Sequence, residues 1–175
     1  MSDLTCASRV LPFCSILYQK SKLSQDELTS LLQVKIGLSC DYLFEHTHPS
    51  MHEYYEKEMG AGLGRFFVIA GEAIERSELV DLKIRCDALE KELSDNGRSF
   101  NFDPGILALE QVVLATGKPY SHRPYLGRGV YAELTYAWEA GQWVPFKWTY
   151  PDYCDPKALE YFGLMRTVLK NQLST

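Results

Sequence analysis

The chain has 175 residues, with 18 Lys and Arg against 23 Asp and Glu and a net charge of −5, so it carries no global basic field for double-stranded nucleic acid or anionic lipid. Hydrophobic residues make up 46% and charged residues 23%, which excludes disordered, collagen-like and low-complexity chains. A mass of 20.0 kDa suffices for one core, so we expect a single domain over 1–175, with a core over 10–103 and a hairpin and C-terminal helix extension over 104–173.

Val10–Tyr18 reads as a buried strand; interrupted by Pro12, Cys14 and Ser15, and with Asp3 ahead of any base, it is a poor secretory signal, and it is too short to span a bilayer. Ser24-Gln25-Asp26-Glu27 is a capping box, after which Leu28, Leu31, Leu32 and Ile36 share one helical face and Gly37 supplies a left-handed stop. Asp41–His46 and Arg65–Gly71 read as strands, the second with the apolar run Phe66–Ala70 of a central strand. Ser77 caps a second helix with the stripe Leu82, Cys86, Leu89 and Leu93, ended by Asn96-Gly97, and Arg98–Phe102 is a fourth strand. Strand, helix, strand, strand, helix, strand predicts an α+β fold with a ferredoxin-like split β-α-β sheet layer, against an open mixed sheet of other connectivity.

Asp103-Pro104-Gly105 suits a type II turn or a helix cap, and equally a strand end that delivers a carboxylate. Val130–Tyr136 alternates, with Val130, Ala132, Leu134 and Tyr136 on one face and Tyr131, Glu133 and Thr135 on the other. Glu139-Ala140-Gly141 turns the chain into Gln142–Lys147; with Trp138 opposite Gln142, Glu133 faces Lys147 as a cross-strand ion pair. Asp155 and Pro156 open a C-terminal helix with the stripe Phe162, Met165, Leu169 and Leu173.

Five cysteines without a C-x-x-C pair predict reduced thiols in a cytoplasmic protein. The acidic segment Asp41–Gly60 holds His46, His48 and His52, but Pro49 opposes the helical turn that would align His48 and His52, so no metal site is assigned. Gln111–Tyr131 has no acid and contains Lys118, His122, Arg123 and Arg128 among Gly117, Gly127, Gly129, Tyr120, Tyr125 and Tyr131. Guanidinium forks and flat rings of this kind suit an anion or nucleotide pocket, unless these bases simply pair with acids elsewhere. Trp148-Thr149-Tyr150-Pro151-Asp152-Tyr153 can wall a groove or plug the sheet. No Walker A loop, G-x-S-x-G, H-E-x-x-H or dinucleotide signature occurs; Gly60-Ala61-Gly62-Leu63-Gly64 precedes a strand instead of following one.

Tyr54-Tyr55-Glu56-Lys57-Glu58-Met59-Gly60, Leu63-Gly64-Arg65-Phe66, Asn101-Phe102-Asp103-Pro104-Gly105, Ser121-His122-Arg123-Pro124-Tyr125-Leu126-Gly127, Gly129-Val130-Tyr131-Ala132-Glu133 and Trp148–Tyr153 together resemble the motif series of a prokaryotic domain-of-unknown-function family, number 4416, from about Phe13 to the C-terminal helix. The chain departs from that pattern at Ile106, Pro119 and Pro124. The resemblance implies a small cytoplasmic protein and, from the label "GTP-binding protein" on some members, a nucleotide ligand; it names no cofactor and no reaction.

The leading expectation is a binding site for a small anionic or phosphorylated ligand. Lys118, His122, Arg123 and Arg128 hold the anion, Tyr125 or Tyr150 stacks on it, and His122 is the acid/base candidate. Asp103, Glu58 and Asp152 orient His122 or hold a divalent metal. An enzyme requires these side chains to converge in one pocket. The alternatives are a protein- or nucleic-acid-interaction module without catalysis, and a homo-oligomer with the aromatic hairpin as its interface.

Overall fold

The computed structural model describes residues 3–46, 55–94 and 97–174. Its strands are β1 (Leu11–Gln19), β2 (Tyr42–His46), β3 (Leu63–Ile69), β4 (Phe100–Leu107), β5 (Gln111–Thr116), β6 (Tyr125–Gly127), β7 (Val130–Glu139) and β8 (Gln142–Pro145). They form one sheet in the order β2-β3-β1-β4-β5-β7-β6, with β8 also on β7, and every neighbouring pair is antiparallel. The helices are α1 (Gln25–Leu31), continued by a π-helical turn Leu32–Ile36, α2 (Glu78–Glu92) and α3 (Pro156–Leu173). Residues 55–59 add a short helical turn. No described helix is long and apolar enough to cross a membrane.

Period-2 alternation on strands buried on both sides divides the core in two. Cys14, Ile16 and Tyr18 of β1, with Phe66 and Val68 of β3, pack under α1 and α2 through Leu28, Leu32, Leu82 and Cys86. Leu11 and Phe13, with Phe67 and Ile69, pack under α3 through Phe162, Met165 and Leu169. The caps follow the local chemistry. Ser24 and Glu27 form both bonds of the capping box, and Gly37 ends the turn at φ 76°. Asp155 accepts from the Lys157 N–H at 2.8 Å ahead of Pro156.

Several expectations are corrected. Asp103-Pro104-Gly105 is no turn: β4 runs through it, because β1 pairs with all of Phe100–Leu107 on one side. Pro104 lacks an N–H but lies beyond the end of the β5 ladder, which covers only Gly105–Leu107. Gly105 lies under the Phe13 ring, and a Cβ there would also fall 2.6 Å from the Val113 carbonyl oxygen. Gly105→Ala is therefore expected to cost about 1–3 kcal/mol through overpacking, read from the urea midpoint.

β7 does not alternate cleanly. A bulge opposite Val112/Val113 inserts Thr135, so Val130, Ala132 and Leu134 face α2 while Tyr136 turns to α3 and packs on Phe162. The hairpin pairs Glu139 with Gln142 and Trp138 with Trp143 around Ala140 and Gly141, both at positive φ. Glu133 accordingly never meets Lys147. Leu93 and Leu173, assigned to buried stripes, are exposed at the helix ends, and the Ser77 side chain makes no cap bond. His48, His52 and Asn96 lie outside the described residues.

Candidate functional site

The β4–β5 ladder is three pairs long, so toward its start β4 separates from β5 and leaves Phe100–Pro104 without a partner on that edge. Backbone groups on an open, buried edge need partners. The Phe102 N–H finds one in Glu90 of α2, whose Oε1 accepts it at 2.8 Å. The gap between the strands is a cavity of about 340 Å³, within the range of small-molecule sites. Its lining draws on distant segments: Arg65 from β3, Lys83, Asp87 and Glu90 from α2, Arg98 before β4, Asn101 and Asp103 on β4, Lys118 and Arg123 after β5, and Glu133 on β7. Tyr55, Tyr150 and Tyr153 supply its rings.

The β7 bulge sets the tyrosine wall. At the bulge the Leu134 carbonyl accepts from Trp148 Nε1 at 2.8 Å, and the Thr135 carbonyl accepts from Thr149 Oγ1 at 2.7 Å and from the Phe146 N–H at 3.4 Å. That seats Trp148–Tyr153 against the sheet and brings Tyr150 and Tyr153 to the cavity. Behind them Asp152 is fully buried, its Oδ2 2.7 Å from an Arg65 terminal nitrogen that also donates to Ser15 Oγ at 2.9 Å. Arg65 thus reaches the cavity already paired with Asp152 and bonded to Ser15.

Around the rim, Arg98 donates from Nε and a terminal nitrogen to the two carboxylate oxygens of Glu58 at 2.8 and 3.0 Å, and to Asn101 Oδ1 at 2.7 Å. This fork holds Glu58 below its ordinary carboxylate range and raises Arg98. Asn101 in turn donates to Asp103 at 2.6 Å, with Lys83 Nζ 4.0 Å from the other Asp103 oxygen. Arg123 is buried, bonded to Glu133 and to the Lys118 carbonyl, with its guanidinium 4.5 Å from the Tyr120 ring centre. Lys118 is exposed and makes no ion pair among the described residues. Burial pushes the Glu90 carboxyl up to about 7 and Tyr55 up to about 12, and burial also raises Tyr150.

Of the residues singled out from the sequence, Lys118, Arg123, Asp103 and Tyr150 line the cavity. Glu58 and Asp152 stand one layer back, holding Arg98 and Arg65. His122 is outside the lining: its ring stacks between Tyr120 and Trp148, and its Nε2 is 3.5 Å from the Glu133 oxygen that Arg123 also holds. Tyr125 is exposed against Tyr131, and Arg128 pairs with Asp81 on the surface. Neither residue lines the cavity. Among the described residues no cluster of His, Cys, Asp and Glu is arranged to hold a metal ion.

Sequence reading missed Arg65, Lys83, Asp87, Glu90 and Arg98. Two signals mark them in retrospect. Lys83, Asp87 and Glu90 recur at i, i+4, i+7 and so form a charged stripe beside the apolar one on α2. Arg65 is the one charge within the otherwise apolar β3, where a charge needs a buried partner.

No curated protein and no solved structure matches the chain. Residues 8–168 match the domain-of-unknown-function family DUF4416, the same motif series read from the sequence, and the chain belongs to that family.

Proposed function

We propose that the gap between β4 and β5 binds a small anionic ligand, with a phosphorylated compound such as a nucleotide as the best fit. The observation behind this reading is the convergence of five cationic side chains, Arg65, Lys83, Arg98, Lys118 and Arg123, from separate segments onto one cavity of about 340 Å³. Lys118 and Lys83 are the cations least satisfied by carboxylates and so the first to meet an anion; Arg65 and Arg98 are pre-organised by Asp152 and Glu58. Glu90, Asp103 and Asp87 bring acceptors, which suits hydroxyl groups of a sugar or polyol on the same ligand. Tyr150 and Tyr55 offer ring faces at the walls. In this reading the acid/base candidates are Glu90 and Asp103, with His122 acting only through Glu133. We also read β1 to β4, whose order is β2-β3-β1-β4 with α1 and α2 on one face, as a ferredoxin-like unit carrying an added hairpin and helix, in a cytoplasmic protein.

A thermal-shift series with sulfate, inorganic phosphate and nucleoside mono-, di- and triphosphates tests the site. A compound at about a hundred times its Kd adds about 2.7 kcal/mol, which raises Tm by roughly 5–10 °C for a chain of this size. Lys118→Ala is expected to lose most of that shift while melting normally without ligand. Shifts from none of these anions, or equal shifts in Lys118→Ala, would overturn the reading.

A further inference from the structure

A second cleft of about 420 Å³ opens beside the first, between α2 and the start of β7, lined by Ile84, Ala88, Lys91, Arg128, Gly129 and Val130. It shares Lys83, Asp87 and Gly117 with the inner cavity, so the two adjoin along the ridge these residues form. The floor is apolar and its outer rim is cationic. Lys91 Nζ lies 2.7 Å from Asp87, and Arg128 meets Asp81; both pairs are on the surface. Exposed pairs of this kind contribute little to stability, so either cation can exchange its carboxylate for a ligand anion at small cost.

Arg128 has a further peculiarity. It holds φ 53°, between Gly127 at 112° and Gly129 at 82°. A left-handed conformation is disfavoured for a non-glycine residue, and this turn places Arg128 in the lining of the cleft. Gly117, at the junction, has nothing within 4 Å of where a Cβ would stand, which leaves the passage open at the point where β5 ends.

We infer that cavity and cleft are two subsites of one site, and that its ligand is elongated and carries two anionic groups, one seated among Lys83, Arg98 and Lys118 and the other held by Lys91 and Arg128. This rests on the anion-binding reading of the inner cavity. Lys83 and Lys91 are eight residues apart on α2, a rise of about 12 Å, which sets the scale between the two groups.

Calorimetric titration with 8-hydroxyoctyl phosphate and with 1,8-octanediol bisphosphate separates the cases, because the two differ only by the second phosphate. The bisphosphate is expected to bind at least tenfold more tightly. Lys91→Ala combined with Arg128→Ala removes that gain and leaves the monophosphate affinity unchanged. Gly117→Trp, which places a side chain in the open passage, also removes the gain; melting curves verify that each variant is folded. Equal affinity of the two probes, or a gain that survives in the double variant, overturns the two-subsite inference while leaving the inner site standing. Binding of neither probe overturns the inner anion site itself and the inference with it.

Discussion

Asp152→Ala is expected to destabilise the protein by about 3–5 kcal/mol, the cost of leaving a buried charge without its partner. Arg65 and Asp152 both lie inside, 2.7 Å apart. Removing the carboxylate leaves the buried Arg65 guanidinium with Ser15 Oγ as a neutral acceptor and no charge opposite it. Urea unfolding at pH 7 reads the loss, and the double variant Arg65→Met, Asp152→Leu should recover most of it, because a well-packed apolar pair can replace a buried ion pair at little net cost. Asp81→Ala, which breaks the exposed pair with Arg128, should change stability by less than about 1 kcal/mol. A loss below about 1 kcal/mol in Asp152→Ala would mean that the pair is not the anchor of the cavity floor. The consequence reaches the site directly, since Arg65 is one of the five cations there.

Glu90→Gln is expected to alter the pH dependence of stability. Burial is the main cause of the rise of the Glu90 carboxyl to about 7, against an ordinary value of 4.5, while the Phe102 N–H, Lys83 and Arg98 pull the other way. Below pH 4.5 the carboxyl is protonated in both folded and unfolded chains and its contribution to stability is fully present. Between 4.5 and 7 the unfolded chain ionises first, so stability falls as pH rises, and above 7 the loss is complete. At about 1.4 kcal/mol per pH unit, the fall amounts to about 3 kcal/mol. Gln keeps an oxygen for the Phe102 N–H and carries no proton to lose. The variant should therefore lack this slope and be more stable than the natural chain at pH 8. Urea titrations at pH 5, 6, 7 and 8 measure it, and parallel curves for the two proteins would contradict the assignment. The same shift bears on binding: an anion placed near Glu90 favours its protonated form, so sulfate, which does not titrate in this range, should bind more weakly above pH 7 in the natural chain and evenly in Glu90→Gln.

Local rules account for much of what was legible beforehand. The capping box at Ser24, the stop at Gly37, the Asp155-Pro156 helix start and the apolar strand over Phe66–Ala70 depend on residues within a few positions of one another, and each is where the pattern puts it. A smaller part of the site was readable for a similar reason: Lys118, Arg123 and Tyr150 stand in compositionally unusual stretches, basic without acids or aromatic around a proline. The errors arose where a local signal meets a distant partner. Pro104-Gly105 carries a turn signature, yet β1 binds the strand along its whole length and overrides it. The alternation of β7 is true in the sequence and broken in the fold by a bulge that only pairing with β5 creates.

By itself the sequence determined three helices and six of the eight strands, the family and the density of charge and aromatic residues after Gln111, because periodicity, capping and motif spacing are written in neighbouring residues; β5 and β6 emerge only from their pairing with β4 and β7. Tertiary structure alone decided which charges meet. The early end of the β4–β5 ladder opens a gap that α2 reaches into with Lys83, Asp87 and Glu90, and ion pairing with Asp152 and Glu58 orients Arg65 and Arg98 toward it. Those contacts join residues tens of positions apart, and a charge has no direction until the partner that holds it is in place.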